Sequence, residues 1–168
     1  AQMVRRHLLD SLSIRPWVNE GPVLDIGTGA GLPGLPLAIT CPDLSFTLLD
    51  TNGKKTRFVQ QVVGELGLRN VEVVRARIEG LDQPRQFKRI TARAFTTLAS
   101  LVALSERLLA DGGCWLAMKG ARPDAEIAEL PASYSSETRS LTVPGEHAAR
   151  HWVLVRRRTP SAAGPVHT

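Results

Sequence analysis

No stretch of this sequence stays apolar for the roughly 20 residues that a membrane-spanning helix requires, so no membrane association is expected. The opening residues, Ala1-Gln2-Met3-Val4-Arg5-Arg6, lack the apolar segment and small-residue cleavage site of a secretion signal, and a cytoplasmic protein is expected. Cysteine is scarce. Cys41 and Cys114 are too few for a disulfide framework and lack the spacing of metal ligands, which predicts two reduced core thiols and no metal. No segment repeats, and no shift in composition marks a domain boundary. What is present is 168 residues, 43% of them hydrophobic, enough for one domain with a sizeable core. The net charge of +5 fits a polyanionic partner, nucleic acid first, although many basic proteins bind none.

The most informative stretch is Val23-Leu24-Asp25-Ile26-Gly27-Thr28-Gly29-Ala30-Gly31-Leu32-Pro33-Gly34. A short apolar run reads as a buried strand and breaks into four glycines within eight residues. A helix is expected to begin near Pro33, which suits a first turn where its missing N–H costs nothing. Glycine lets the backbone turn sharply and approach a ligand, and a helix start favours an anionic group. Gly29 to Gly34 satisfies the dinucleotide pattern G-x-G-x-x-G, by itself a weak signal. The fuller pattern, Asp25-x-Gly27-x-Gly29-x-Gly31, is the first motif of Rossmann-like methyltransferases that use S-adenosylmethionine (AdoMet). A carboxylate at Asp25 suits a sulfonium and would repel a pyrophosphate. Connection alone needs one glycine, which weakens the reading of a ligand-free turn.

Strands and helices alternate along the rest of the chain. An amphipathic helix is expected over Val4 to Leu12, with Val4, Leu8, Leu9 and Leu12 on one face. Strands follow at Ser45 to Asp50, Val71 to Arg75, Phe87 to Ala94 and Cys114 to Met118. The helix after the second strand, Gly53 to Leu66, shows Phe58, Val62 and Leu66 as its apolar stripe and Gly67 as its C-cap. A polar turn is expected at Gln83 to Arg85, and a long helix from Leu98 to Leu109 closed by Asp111-Gly112-Gly113. A helix over Pro123 to Leu130 precedes a closing strand pair, Thr138 to Val143 and His151 to Arg157. The fold class is α/β: a mostly parallel seven-stranded sheet with helices on both faces. Residues 1–158 read as a single domain and 159–168 as a flexible tail.

Candidate site residues cluster at the carboxyl ends of these strands, where ligands of open α/β sheets bind. Asp50 lies 19 residues beyond Gly31, near the interval at which an acidic residue meets ribose hydroxyls; it would serve equally as a helix N-cap. Lys54, Lys55 and Arg57 crowd the first turn of their helix, where the dipole disfavours cations. A polyanion contact explains that placement, and a solvated charged face is the alternative. The residues just past the third strand, around Ile78-Glu79, are placed to flank an adenine ring. Arg93 falls over the same region as a functional cation or a surface ion pair. His7, Asp10 and Ser11 read from the residues alone as structural, and Arg156-Arg157-Arg158 as a solvated strand end.

Several stretches together resemble one family, the bacterial 16S rRNA guanine-N(7) methyltransferases known as RsmG or GidB. They are Arg6-His7-Leu8-Leu9-Asp10-Ser11-Leu12, Asp25 to Gly34 with its Leu-Pro-Gly ending, Leu48-Leu49-Asp50, Gly53-Lys54-Lys55, Arg93-Ala94-Phe95 and Lys119-Gly120. The resemblance implies AdoMet contacts at Gly27, Leu32, Ile78, Glu79 and Arg93, with Asp50, and it is what makes His7, Asp10 and Ser11 site candidates. With the motif glycines, the expected cofactor set is Asp25, Gly27, Gly29, Gly31, Leu32, Asp50, Ile78, Glu79 and Arg93. Lys54, Lys55, Arg57 and Lys119 are expected on RNA, and Arg93 is the positioning residue of the reaction. The partner implied is 16S rRNA or the small ribosomal subunit, met by a monomer. The chain departs from relatives at Ala92 before Arg93 and at Thr51-Asn52 before Gly53. The segment that relatives carry ahead of this stretch is expected to be missing here.

Two absences bear on the chemistry. There is no Asn/Asp-Pro-Pro-aromatic motif of the kind used on exocyclic amines, and no Pro-Cys nucleophile for pyrimidine C5, since Cys41 precedes its proline. N(7) of guanine carries a free lone pair and no proton, so its methylation needs positioning and neither a general base nor a nucleophile. A noncatalytic RNA-binding assembly factor and an NAD-dependent oxidoreductase are the other readings open at this point.

Overall fold

The computed structural model describes residues 1–81, 86–93 and 96–160. The expected turn at Gln83 to Arg85, the Ala94-Phe95 part of the Arg-Ala-Phe motif and the tail from 161 onward lie outside the described residues. Helix α1 (Gln2–Leu12) precedes β1 (Val23–Ile26), α2 (Gly34–Thr40), β2 (Phe46–Asp50), α3 (Gly53–Leu66) and β3 (Val71–Arg75). Then come β4 (Phe87–Arg93), α4 (Leu98–Ser105), β5 (Leu109–Lys119), α5 (Asp124–Ala128), β6 (Tyr134–Leu141) and β7 (Arg150–Arg157). The seven strands form one sheet in the order β3-β2-β1-β4-β5-β7-β6, parallel except for β7, which runs antiparallel to both neighbours.

Strand alternation divides the core into two layers. Val23, Phe46, Leu48, Leu116, Trp152 and Leu154 face the side covered by α2 and α3. Leu24, Ile26, Ile90, Trp115, Val153 and Val155 face the side covered by α4. Cys41 and Cys114 are free, buried thiols, and burial pushes the Cys114 thiol pKa up.

Two helices bury faces other than those expected. In α3 the sheet takes Thr56, Val59 and Val63, while Phe58 and Leu66 are 52% and 56% exposed. The apolar arc of this helix is wider than one contact face, and β2 and β3 lie against its other edge. In α1 the buried residues are Asp10 and Ser11, and Val4 and Leu8 are exposed. Leu8, Ile39, Phe58, Val62 and Leu66 instead line an apolar groove of about 450 Å³. The α-helix after β4 stops at Ser105, and a 3-10 turn over Glu106–Leu108 carries the helical stretch to one residue short of the expected Leu109. Asp111-Gly112-Gly113 belongs to a bulge inside β5, with Gly112 at φ +74° and Gly113 hemmed in by the Ala110 and Lys88 carbonyls. β6 starts four residues earlier than expected, where Tyr134 meets Trp115 edge to face. Arg157 and Arg158 donate to carbonyls of Glu106, Leu109, Ala132 and Tyr134, so only part of the arginine triple is solvated.

One buried carboxylate ties β1 to its surroundings. Asp25 has no exposed surface. Its Oδ2 accepts hydrogen bonds from the Thr28 hydroxyl at 2.7 Å and the Gly34 N–H at 3.0 Å, and its Oδ1 from the Thr91 hydroxyl of β4 at 3.0 Å. Gly34 opens α2, with Pro33 one residue ahead at the N-cap and not inside the first turn as expected. A Cβ on Gly34 would lie 2.8 Å from Asp25 Oδ2 and collide with Leu48, so this helix approaches the sheet only on glycine. Burial pushes the Asp25 pKa from 3.8 to about 7, opposed by its hydrogen bonds and by the charge of Arg93.

A folded-state pKa above the unfolded value means that folding favours the protonated form. The Asp25 contribution to stability is therefore full below pH 3.8 and is lost as pH rises through about 7. Asp25→Asn holds a neutral side chain of the same shape. In urea unfolding from pH 4 to pH 8 the parent should lose stability relative to this variant as pH rises, each unit of pKa difference being worth about 1.4 kcal/mol. A difference that does not change with pH would show that folding leaves this pKa where it was.

Candidate functional site

The chain builds β1, β2 and β3 outward in one direction, then returns to place β4 on the other side of β1. That reversal makes the carboxyl ends of β1 and β4 a topological switch point, where open α/β sheets bind ligands. Ile26 pairs in register with Ala92, so Gly27 and Arg93 leave the sheet side by side. Gly27, Gly29 and Gly31 have φ of 64°, 57° and 88°, left-handed values that favour glycine and let the loop fold back over the strand ends. The Gly31 and Leu32 N–H groups both close onto the Thr28 carbonyl.

Under this loop lies a cavity of about 300 Å³ at the ends of β1, β2 and β3. Gly27, Asp50, Thr51, Ile78 and Glu79 line it, over an apolar floor that includes Leu49 and Leu104. The donor set fits an adenosine: apolar walls for a ring and carboxylates for ribose hydroxyls. Asp50 receives the Gly29 N–H on Oδ2 and the Asn52 N–H on Oδ1, each at 2.8 Å. Each carboxylate oxygen has a second lone pair, so both can still accept a hydroxyl. Asp50 is not a helix cap. Asn52 holds that position, its side chain accepting from the Lys54 and Lys55 N–H groups.

The expected cofactor residues therefore separate. Gly27, Asp50, Ile78 and Glu79 meet around one cavity. Asp25 does not face it: with no exposed surface and three internal donors, this carboxylate braces the loop and is sealed from any sulfonium, because β4 and α2 close over it. Gly31 is packed against Leu35, and the Leu32 side chain turns away into the apolar groove beside Phe58. The Gly29 position is open, a Cβ there meeting nothing nearer than the Gly27 carbonyl at 4.0 Å.

Arg93 lines a neighbouring hollow of about 230 Å³ with His7, Asp10, Met118, Lys119 and Arg150. Its Nη1 lies 3.2 Å from His7 Nδ1; arginine can only donate, so this nitrogen of His7 accepts. The Lys119 side chain is 15% exposed and already has two partners. Its Nζ donates to the Thr96 carbonyl at 2.7 Å and to Glu126 at 3.0 Å, which ties the end of β5 to α5. Lys54, Lys55 and Arg57 are exposed on α3 next to the Asp50 loop, and among the described residues none of the three makes an ion pair.

Sequence reasoning passed over Thr28, Thr91 and Asn52. Asn52 carried a signal, an N-cap residue just before a helix start. Thr28 sat inside the glycine motif. Thr91 is found only through the register that places it opposite Asp25.

Residues 1–153 match the model of the family described as rRNA small subunit methyltransferase G. A Ribosomal RNA small subunit methyltransferase G of Marinobacter nauticus is 55% identical over 156 residues, which span 92% of this chain and 73% of that one. One from Stenotrophomonas maltophilia is 51% identical over 155 residues, spanning 92% and 73%. Among solved structures, the fold is shared with a precorrin-6y C5,15-methyltransferase of Geobacter metallireducens (TM-score 0.67, 18% identity, 94% of this chain and 89% of that one). It is shared too with a SAM-dependent methyltransferase of Aquifex aeolicus (TM-score 0.68, 17% identity, 90% and 92%). With the family model covering nearly the whole chain, this protein belongs to the rRNA small subunit methyltransferase G family.

Proposed function

We propose that the chain transfers a methyl group from S-adenosylmethionine to N(7) of a guanine in 16S rRNA of the small ribosomal subunit. The observation that carries this reading is the fixed cation beside the cavity. Arg93, held by His7, leaves the sheet next to Gly27, with a base-sized hollow on its far side. When bound, S-adenosylmethionine supplies a methyl group on a sulfonium, open to in-line displacement by a lone pair. Asp50 and Glu79 hold its ribose, Ile78 flanks its adenine, and Asp25, Gly29, Gly31 and Leu32 act one step back by shaping the loop. N(7) has no proton to lose, so the work left to the protein is orientation, which Arg93 performs on the guanine or an adjoining phosphate. Lys54, Lys55 and Arg57 take RNA phosphates. The enzyme is read as a cytoplasmic monomer.

Mass mapping of 16S rRNA from cells lacking the protein tests the reaction. One guanine should lose an N(7) methyl group, and purified protein with S-adenosylmethionine should restore it on isolated subunits. An unchanged methylation map, or a methyl group lost from another base, would overturn the reading.

Asp50→Ala should weaken S-adenosylmethionine binding by roughly 1.5–3 kcal/mol in calorimetry, the scale of hydrogen bonds to a charged group. Unchanged affinity in a folded variant would leave Asp50 as a loop brace only. Replacing Lys54 and Lys55 together with alanine should weaken RNA binding and flatten its salt dependence by about 0.7 per lost contact on single-stranded RNA, with cofactor affinity unaltered. A parental salt slope would route the RNA over another face.

A further inference from the structure

The hollow beyond Arg93 contains a group that the cofactor site leaves unused. Asp10 is 4% exposed, and its Oδ2 accepts from Arg150 Nε at 3.2 Å. Its Oδ1 is buried and accepts nothing among the described residues. A buried carboxylate oxygen without a donor is costly, and native structures rarely keep one without a reason. The other side chains around it, His7, Arg93, Lys119 and Arg150, are cationic or imidazole. Lys119 and Arg150 are paired with Glu126 and Asp10, which leaves Arg93 as the cation of this lining without an ion pair among the described residues, beside one unused acceptor.

We infer that Asp10 reads the target base, accepting the N1–H and exocyclic amino donors of guanine and so selecting guanine for methylation. This rests on the guanine-N(7) reading above. Phosphates bring no donor to Oδ1, and a ribose 2′-hydroxyl brings a single one. Adenine and cytosine each present one amino group on their pairing edge, and uracil one imino N–H; only guanine presents two adjacent donors. Among the described residues neither lone pair of Oδ1 is used, and Oδ2 keeps one after Arg150. With that edge against Asp10, N(7) lies on the far side of the purine, clear of the carboxylate. Arg93, across the hollow, can donate to O6 and leave N(7) free. The volume suits a single base, below the roughly 300–1,000 Å³ of sites for larger ligands. Bases acted on by enzymes are read in this way, by hydrogen bonds to the pairing edge in a pocket. The inference also accounts for the face that α1 buries, which carries Asp10 and Ser11 where leucines were expected.

The test uses subunits carrying inosine in place of the methylated guanine, inosine lacking only the exocyclic amino group. The parent enzyme should show kcat/KM about ten- to a hundredfold lower on inosine, the loss of one hydrogen bond to a charged acceptor. Asp10→Asn should lose activity on guanine and bring the guanine-to-inosine ratio close to one, with S-adenosylmethionine affinity unchanged by calorimetry. Arg150→Gln, which removes only the ion pair, should keep the parental ratio; a purely structural Asp10 would leave that ratio unmoved in both variants. Equal parental rates on guanine and inosine overturn the inference whether or not Asp10→Asn folds, and so does a folded variant with the parental ratio. A parent that methylates no guanine at N(7) overturns the functional reading beneath it, a failure visible before inosine is used.

Discussion

The three donors around the Asp25 carboxylate set the position of nearly everything else. Its two oxygens join β1 to β4 through Thr91, to the glycine loop through Thr28, and to the first residue of α2 through Gly34. Each bond alone would contribute little, since water offers a similar partner to an unfolded chain. Together they act at a point sealed from water, where leaving any one unmade is costly. The loop is consequently held from beneath by a side chain with no exposed surface. That separates two jobs which a motif read as letters merges: the carboxylate before the first glycine shapes the loop, and the carboxylate at the end of β2 faces the cavity.

Asp50 shows the same economy on the exposed side. It accepts the Gly29 and Asn52 N–H groups and so joins the glycine loop to the start of α3 before any ligand arrives. A loop with three left-handed glycines is entropically free in the unfolded chain. Fixing it from two sides by carboxylates at the ends of neighbouring strands means that ligand binding need not supply that ordering. Pre-organisation at the switch point is a consequence of strand order, because only the reversal between β1 and β4 leaves the strand ends uncovered there.

The topology was legible in the sequence because alternating strands and helices with short glycine-marked connections admit few arrangements. Leu24 and Ile26 against Val23 already show which residues face which layer. The errors share a cause. For α1 and α3, apolar periodicity identified the helices correctly and chose the wrong buried stripe, since a wide apolar arc does not say which edge the sheet will meet. The partners of Lys119 were hidden in the sequence, because Thr96 and Glu126 come from the loop ahead of α4 and from α5. Asp25 read as a ligand contact because burial depends on Thr91 of β4, 66 residues away. What a side chain meets across the sheet is set by register, and no local pattern encodes it.

At the start of α3 the proposed RNA contact and helix stability ask for opposite charges. Lys54, Lys55 and Arg57 stand at the positive end of the helix dipole, each placed where a cation is disfavoured. Helix formation survives because Asn52 accepts the Lys54 and Lys55 N–H groups and because Val59 and Val63 anchor the next turns in the core. Any acidic residue in that turn would be better for the helix, yet it has none. The arrangement makes physical sense once a polyanion is present, when the dipole and the side chains attract the same ligand. The charge cluster, the capped helix start and the Asp50 loop then form one continuous edge, leading from the exposed face of α3 to the cavity beneath the glycines.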